Sequence, residues 1–237
     1  IADLLRGREE VFAAFLDVIE GYAEALQAIG PDDPPEPRWN QGWFPRLDGA
    51  AAYAMVRHHA PRRIVEVGSG HSTRFLARAV RDGAMTCEIT AIDPQPRATI
   101  AGLPVRTIAS RMQDADEAFF AALGPGDVLF IDSSHVLMPG SDVDFLVNRV
   151  LPDLPEGVLV HFHDIFLPED YPESWTWRGY NEQAAVAALI AGGDGDQVLF
   201  ASRYVATQMA DRLAETILAR LPLIDGAFEN SLWLRKR

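Results

Sequence analysis

Arg63-Ile64-Val65-Glu66-Val67-Gly68-Ser69-Gly70-His71-Ser72 is the stretch on which the fold turns. Residues 63–67 are mostly apolar and read as a buried strand. Two glycines then permit a tight turn, and Ser72-Thr73-Arg74-Phe75-Leu76-Ala77-Arg78-Ala79-Val80 reads as a helix opening at once. A strand, a glycine turn and a helix N-terminus form the place where an α/β sheet holds a nucleotide-like ligand. Gly68 and Gly70 let backbone approach a ligand with no Cβ in the way. Glu66 narrows the choice, because a carboxylate beside the turn opposes a pyrophosphate and suits a cationic or hydroxyl-rich ligand. The dinucleotide fingerprint also fails, since its third glycine position falls on Thr73.

Outward from this turn, strands and helices alternate. Strands are expected at 88–92, 105–109, 127–131, 157–163, 196–201 and 231–235. Helices are expected at 72–81, 113–122, 142–151 and 179–191, with Ser141 and Asp144 as a capping box for the third. The continuous apolar run Val128-Leu129-Phe130-Ile131 indicates a parallel sheet buried on both faces. Such alternation predicts a doubly wound, Rossmann-like α/β fold. A further helix over 204–221 separates the last two strands, which suit an antiparallel edge pair. Upstream, Phe12, Phe15, Leu16, Ile19, Tyr22 and Leu26 recur at helical spacing and predict one amphipathic helix over 3–29, stopped by Gly30-Pro31. It reads as a packing element or a surface for a homo-oligomer. A proline-rich linker, 31–37, follows, and Asp48 reads as the N-cap of a helix ending near His59. Residues 1–46 are thus expected to be an N-terminal helical extension and linker, and 47–237 the main domain.

Composition excludes several classes. The 237 residues suit one α/β domain with an added segment. A formal charge of −13 argues against sequence-independent nucleic-acid binding, which relies on basic patches. The one cysteine, Cys87, rules out an intrachain disulfide and a CxxC metal site, reads as inert, and fits the cytoplasm. No apolar run approaches the ~18 residues of a membrane span.

Ligands of open parallel sheets bind beyond the carboxyl ends of the strands. Those ends carry Gly68-Ser69-Gly70-His71-Ser72, Asp93-Pro94, Ser110-Arg111, Asp132-Ser133-Ser134-His135 and His161-Phe162-His163-Asp164. Asp93, after the second strand, has the acceptor oxygens to bind a ribose diol. Glu66-Val67-Gly68-Ser69-Gly70, the later Asp93 and the seven-strand pattern together resemble the class I S-adenosylmethionine-dependent methyltransferases, over about residues 47–235. Phe130-Ile131-Asp132-Ser133-Ser134-His135 and His161-Phe162-His163-Asp164-Ile165-Phe166-Leu167-Pro168 resemble the bacterial group called methyltransferase family 24. The resemblance implies a mostly parallel seven-stranded sheet of order 3-2-1-4-5-7-6 with strand seven antiparallel. It implies S-adenosylmethionine as cofactor, with Gly68 and Gly70 at its amino-acid part, Asp93 at its ribose, and Ser110 and Arg111 near its adenine. Glu66, Ser69, Ser72, Pro94, Asp132 and Ser133 complete the implied cofactor set.

Methyl transfer to a hydroxyl needs alignment and loss of a proton, to a base or through a metal. His163 or His135 is the expected base, with Asp164 beside it. Asp132 and Asp164 holding a divalent ion such as magnesium is the less favoured route, because Ile165 stands where catechol-type enzymes carry a further oxygen ligand. His161 reads as a core residue. The H-x-H-D pattern also suits a zinc hydrolase, but no further ligand motif follows it. The aromatic loop 166–180 is expected to cover a small-molecule acceptor, with Tyr171, Trp175 and Trp177 as walls and Arg178 as an anion contact. Trp39, Trp43 and Phe44 are expected opposite. The leading expectation is O-methylation of a small molecule. A NAD(P)-dependent oxidoreductase is opposed by the missing third glycine and by Glu66. A catalytically idle cofactor-binding domain would be expected to lose Asp132, His163 and Asp164.

Overall fold

In the computed structural model, the apolar runs pair into one sheet of seven strands. Residues 1–192 and 196–237 are described. The strands are β1 (Arg63–Val67), β2 (Glu88–Ile92), β3 (Arg106–Ile108), β4 (Val128–Ile131), β5 (Leu159–Phe162), β6 (Gln197–Ala201) and β7 (Leu232–Arg235). Their order is β3-β2-β1-β4-β5-β7-β6. β1, β2, β3, β4 and β5 run parallel, and β7 is antiparallel to both β5 and β6. The implied sheet order and the antiparallel edge are both present. β4 and β5 are buried at every position, as strands covered on both faces must be.

The helices are α1 (Ala2–Arg6), α2 (Glu9–Glu20), α3 (Ala23–Gln27), α4 (Arg46–His59), α5 (His71–Asp82), α6 (Ala118–Ala121), α7 (Asp142–Phe145), α8 (Leu151–Asp153), α9 (Glu182–Ala191), α10 (Ser202–Gln208) and α11 (Ala210–Ala214). The expected helix over 3–29 is three, broken at Gly7 and Gly21, where glycine weakens a helix interior. Its apolar face packs within the chain. Phe12 and Phe15 pack edge-on against Phe200 of β6, and Phe12 also meets Tyr204 of α10. The helix expected over 113–122 shrinks to a 3-10 turn, Met112–Asp114, and α6, because Asp116 caps a restart by accepting from Ala118 N. The helix expected over 142–151 widens into a π-turn, Leu146–Val150, between α7 and α8. Pro152 explains this, since its ring cannot sit against an ordinary α-turn carbonyl. Ser141 does cap α7, accepting from Asp144 N. The helix expected over 204–221 is likewise interrupted, at Met209 and again before Thr216, which caps a last 3-10 turn.

Asp48 corrects another expectation. The helix starts at Arg46 with Pro45 as its N-cap, so Asp48 lies inside its first turn. It is fully buried and accepts from Asn230 N at 3.0 Å and Ser231 N at 2.9 Å. Arg46 binds Glu229 through two 2.9 Å bonds beside it. α4 is therefore pinned to the segment leading into β7.

Candidate active site

A cavity of about 710 Å³ opens at the carboxyl edge of the sheet. It lies at the switch point, where the chain leaves β1 toward β2 on one side and reaches β4 on the other. Of the residues expected from sequence, Gly68, Ser69, Asp93, Pro94, Arg111, Asp132, Ser133, His135, His163, Asp164, Trp175 and Arg178 line it.

The glycine turn has a reason other than ligand approach. A Cβ on Gly68, whose φ is +79°, would lie 2.0 Å from the carbonyl oxygen of Asp132. A Cβ on Gly70 would crowd Ala98 N at 3.3 Å. The turn is glycine first because β1 and β4 end against each other. Ser69 donates from N and from Oγ to Asp93 Oδ2 at 2.7 and 2.9 Å, and Gln95 N donates to Asp93 Oδ1 at 2.7 Å. Asp93 thus ties the β1 and β2 turns together and faces the cavity.

Several expected residues are placed elsewhere. Glu66 is fully buried and accepts from Ser72 Oγ and Thr73 Oγ1, each at 2.6 Å. It fastens β1 to the start of α5, and neither Glu66, Gly70 nor Ser72 lines the cavity. Burial pushes the Glu66 carboxyl up to about 8, against those two hydroxyls. Ser110 bonds Arg111 O and lies outside the lining. Tyr171 is packed between Phe166 and Tyr180. Trp177 is 81% exposed and forms no cavity wall. Across from these, Trp43 does line the cavity, but Trp39 is buried against Phe75, and Phe44 lies beneath His163 with ring centroids 5.3 Å apart. His161 is core, stacked on Phe130 with centroids 3.6 Å apart, as expected.

The cavity floor is a cluster of carboxylates and imidazoles. His135 Nδ1 is 2.8 Å from Glu182 Oε2, and its Nε2 is 3.3 Å from Asp132 Oδ1 and 3.4 Å from Asp164 Oδ2. His163 Nδ1 is 3.5 Å from Asp132 Oδ1 and 3.7 Å from Asp164 Oδ1, with Nε2 3.6 Å from Asp48 Oδ2. Asn230 Nδ2 donates to Asp164 Oδ1 at 2.9 Å. His135 and Asp164 hold left-handed backbone, φ 60° and 55°, which turns both side chains into the cluster. Burial opposes charge on both rings. The carboxylates around His135 (Asp132, Glu182, Asp164) and around His163 (Asp164, Asp132, Asp48) overcome it and hold both well above the ordinary imidazole range. Burial likewise opposes the charge on Asp132, and His163 and His135 overcome it, holding that carboxyl well below its usual range. The base expected from sequence is His163 or His135; here each ring sits among carboxylates. Both nitrogens of each ring lie 2.8–3.7 Å from carboxylate oxygens, which favours the charged form of both rings. Carboxylates outnumber imidazoles, and the floor is anionic even so.

Magnesium fits poorly here. Asp132 Oδ1 and both Asp164 oxygens face imidazole or amide nitrogens, whereas a hard ion wants oxygen ligands converging on one point. No group of three or more His, Cys, Asp or Glu side chains is arranged to hold a metal among the described residues.

Asp48, Glu182, Asn230, Tyr180 and Phe228 were not expected in or under this site. Asp48 looked like a helix cap, and the others carry no local pattern. Only the packing of α4, α9 and the approach to β7 onto the strand ends brings them in.

An open sheet in this order, with a ligand-sized cavity at its switch point, defines the Rossmann-like class. Residues 65–165 match the sequence model of a family described as methyltransferase domain. A protein of Archaeoglobus fulgidus described as uncharacterized is 35% identical over 91 residues, covering 35% of this chain and 41% of its own. The chain thus matches well under half of that relative's length. Among solved structures, the S-adenosylhomocysteine-bound methyltransferase PaMTH1 of Podospora anserina is similar at a TM-score of 0.49 and 17% identity, over 93% of this chain and 88% of that one. The O-methyltransferase TomG of Streptomyces achromogenes, in complex with S-adenosylmethionine, gives 0.47 and 16% over 92% and 88%.

Proposed function

We propose that this chain is an S-adenosylmethionine-dependent methyltransferase acting on an oxygen of a small molecule. One observation carries the reading: the stretch matching the methyltransferase family, 65–165, supplies Gly68, Ser69, Asp93, Asp132, His135, His163 and Asp164 to a single cavity. The residues present fit the cofactor. Asp93 Oδ1 keeps acceptor capacity beyond its bond to Gln95, which suits a ribose hydroxyl. Arg111 and Met112 line the cavity and would border the adenine, and the anionic floor suits a sulfonium. When bound, the cofactor supplies the methyl group for an in-line displacement.

The chain's part is alignment and proton removal. A third of the Asp132 side chain is exposed, toward the cavity, so it is the floor group within reach of an acceptor hydroxyl. A hydroxyl donating to Asp132 gives up its proton to the cluster as its oxygen bonds the methyl carbon. His135 and His163, with ring nitrogens 3.3 and 3.5 Å from Asp132 Oδ1, hold that carboxylate in place to receive it. Trp175 and Arg178 form the acceptor wall, assisted by Tyr180 and Phe228. With one cysteine in the chain, a reducing compartment such as the cytoplasm suits this enzyme.

Calorimetry tests the reading. The protein is expected to bind S-adenosylhomocysteine and to give no heat with NAD. The affinity is expected to be the same in EDTA and in added magnesium. Equal binding of the two ligands, or none of S-adenosylhomocysteine, overturns it.

A further inference from the structure

Charge of both signs lines the cavity. Asp132 and Asp164 meet the histidines on the floor, Asp93 and Asp142 are tied to the Ser69 and Ser134 turns, and Arg97, Arg111 and Arg178 stand on the walls. Arg111 has a carboxylate of its own, Asp114, at 2.7 Å. Arg97 is an exposed residue resting on Trp43, 4.5 Å from the ring centre. Arg178 differs from both. It is half-buried, lines the cavity, and has no carboxylate within ion-pair distance among the described residues, although the chain is strongly acidic.

Arg178 is also held in place. Its guanidinium carbon lies 4.0 Å from the ring centre of Trp175, and 5.3 Å from those of both Trp177 and Tyr180. Stacking occupies the faces of a guanidinium and leaves its edge, where the N–H donors lie, free to bond. The structure gives that edge one partner, Tyr180 Oη at 3.0 Å, and Nε is buried with none. Stacked this way, the guanidinium turns its terminal N–H donors, rather than the buried Nε, toward an acceptor that arrives with a ligand. Beside it, Trp175 meets Phe228 and Tyr180 edge-on at 5.7 and 5.9 Å, and Trp175, Tyr180 and Phe228 all line the cavity. These rings make an apolar section between the cationic wall and the anionic floor.

Resting on the methyltransferase reading, we infer that the acceptor is an aromatic hydroxy acid. Its carboxylate bonds the edge of Arg178, its ring lies among Trp175, Tyr180 and Phe228, and its hydroxyl reaches Asp132. The reverse orientation would set a carboxylate against Asp132 and Asp164, so the charges also assign direction.

The test is calorimetry on the whole protein saturated with S-adenosylhomocysteine, using para-hydroxybenzoate and its neutral amide, para-hydroxybenzamide, as probes. The wild type is expected to bind the carboxylate at least tenfold more tightly than the amide. Arg178→Gln is expected to erase that preference while S-adenosylhomocysteine affinity holds, which shows that the variant is folded. Arg178→Lys, which keeps charge but not the fork, is expected to retain only part of it. Equal affinity for the probes in the wild type, binding of neither, or a preference untouched by Arg178→Gln overturns the inference and leaves the methyltransferase reading standing. Failure of S-adenosylhomocysteine to bind at all sinks both.

Discussion

Glu66 shows how one side chain can be chemically informative and still not touch a ligand. Its carboxyl is raised to about 8 by burial, so the folded protein keeps a proton that the unfolded chain releases near 4.5. Between those values the folded state binds more protons, and stability falls as pH rises. Glu66→Gln removes that dependence. Its unfolding free energy is expected to match wild type at pH 5 and to exceed it at pH 8, on the order of a few kcal/mol, by urea titration at both pH values. Asp132 acts in the opposite sense on its neighbours. In Asp132→Asn, the His135 and His163 imidazoles lose an anionic partner, and their NMR titrations are expected to move down. Unmoved titrations would mean that Asp132 does not hold them charged. At this scale the sequence was partly legible. Asp132, His135, His163 and Asp164 follow strands and so could be placed at one edge. That both histidines are clamped on two sides was not, because Asp48 and Glu182 lie far away along the chain.

Elements are joined by close approaches that tolerate little change. α4 and α5 cross where Gly49 meets Phe75: an added Cβ would sit 2.8 Å from the ring. Gly49→Ala is expected to cost ~1–3 kcal/mol, the scale of overpacking, read as a lower urea midpoint at unchanged slope. An unchanged midpoint would mean that the Phe75 ring turns aside freely. Helices and strands were mostly legible from periodicity, and breaks within them less so. Gly7, Gly21 and Pro152 are visible in the sequence, but whether a glycine interrupts a helix depends on what packs beside it. Alternation of apolar residues cannot report that.

For the whole molecule, the first helices decide whether residues 47–237 stand alone. Leu5, Phe12, Leu16, Ile19 and Leu26 are fully buried and belong to the same core as the sheet. At ~1.5–3 kcal/mol for each buried large side chain, an upper estimate, their loss rivals the ~5–15 kcal/mol that holds a domain together. A chain lacking residues 1–30 is therefore expected to show no cooperative thermal transition by circular dichroism. If it melts cooperatively and binds S-adenosylhomocysteine normally, the extension is dispensable.

The sequence by itself determined the sheet and its ligand edge. Strand periodicity, glycine turns and the charged residues ending each strand are local, and in a parallel sheet strand direction places every such end on one side. Tertiary structure alone decided which of those residues meet. It turned Glu66 inward to α5, moved Trp177 out and Trp39 into the core, and set Asp48, Glu182 and Asn230 under the histidines. Those contacts depend on how helices and loops pack across the sheet, and packing is a property of surfaces brought together rather than of spacing along a chain.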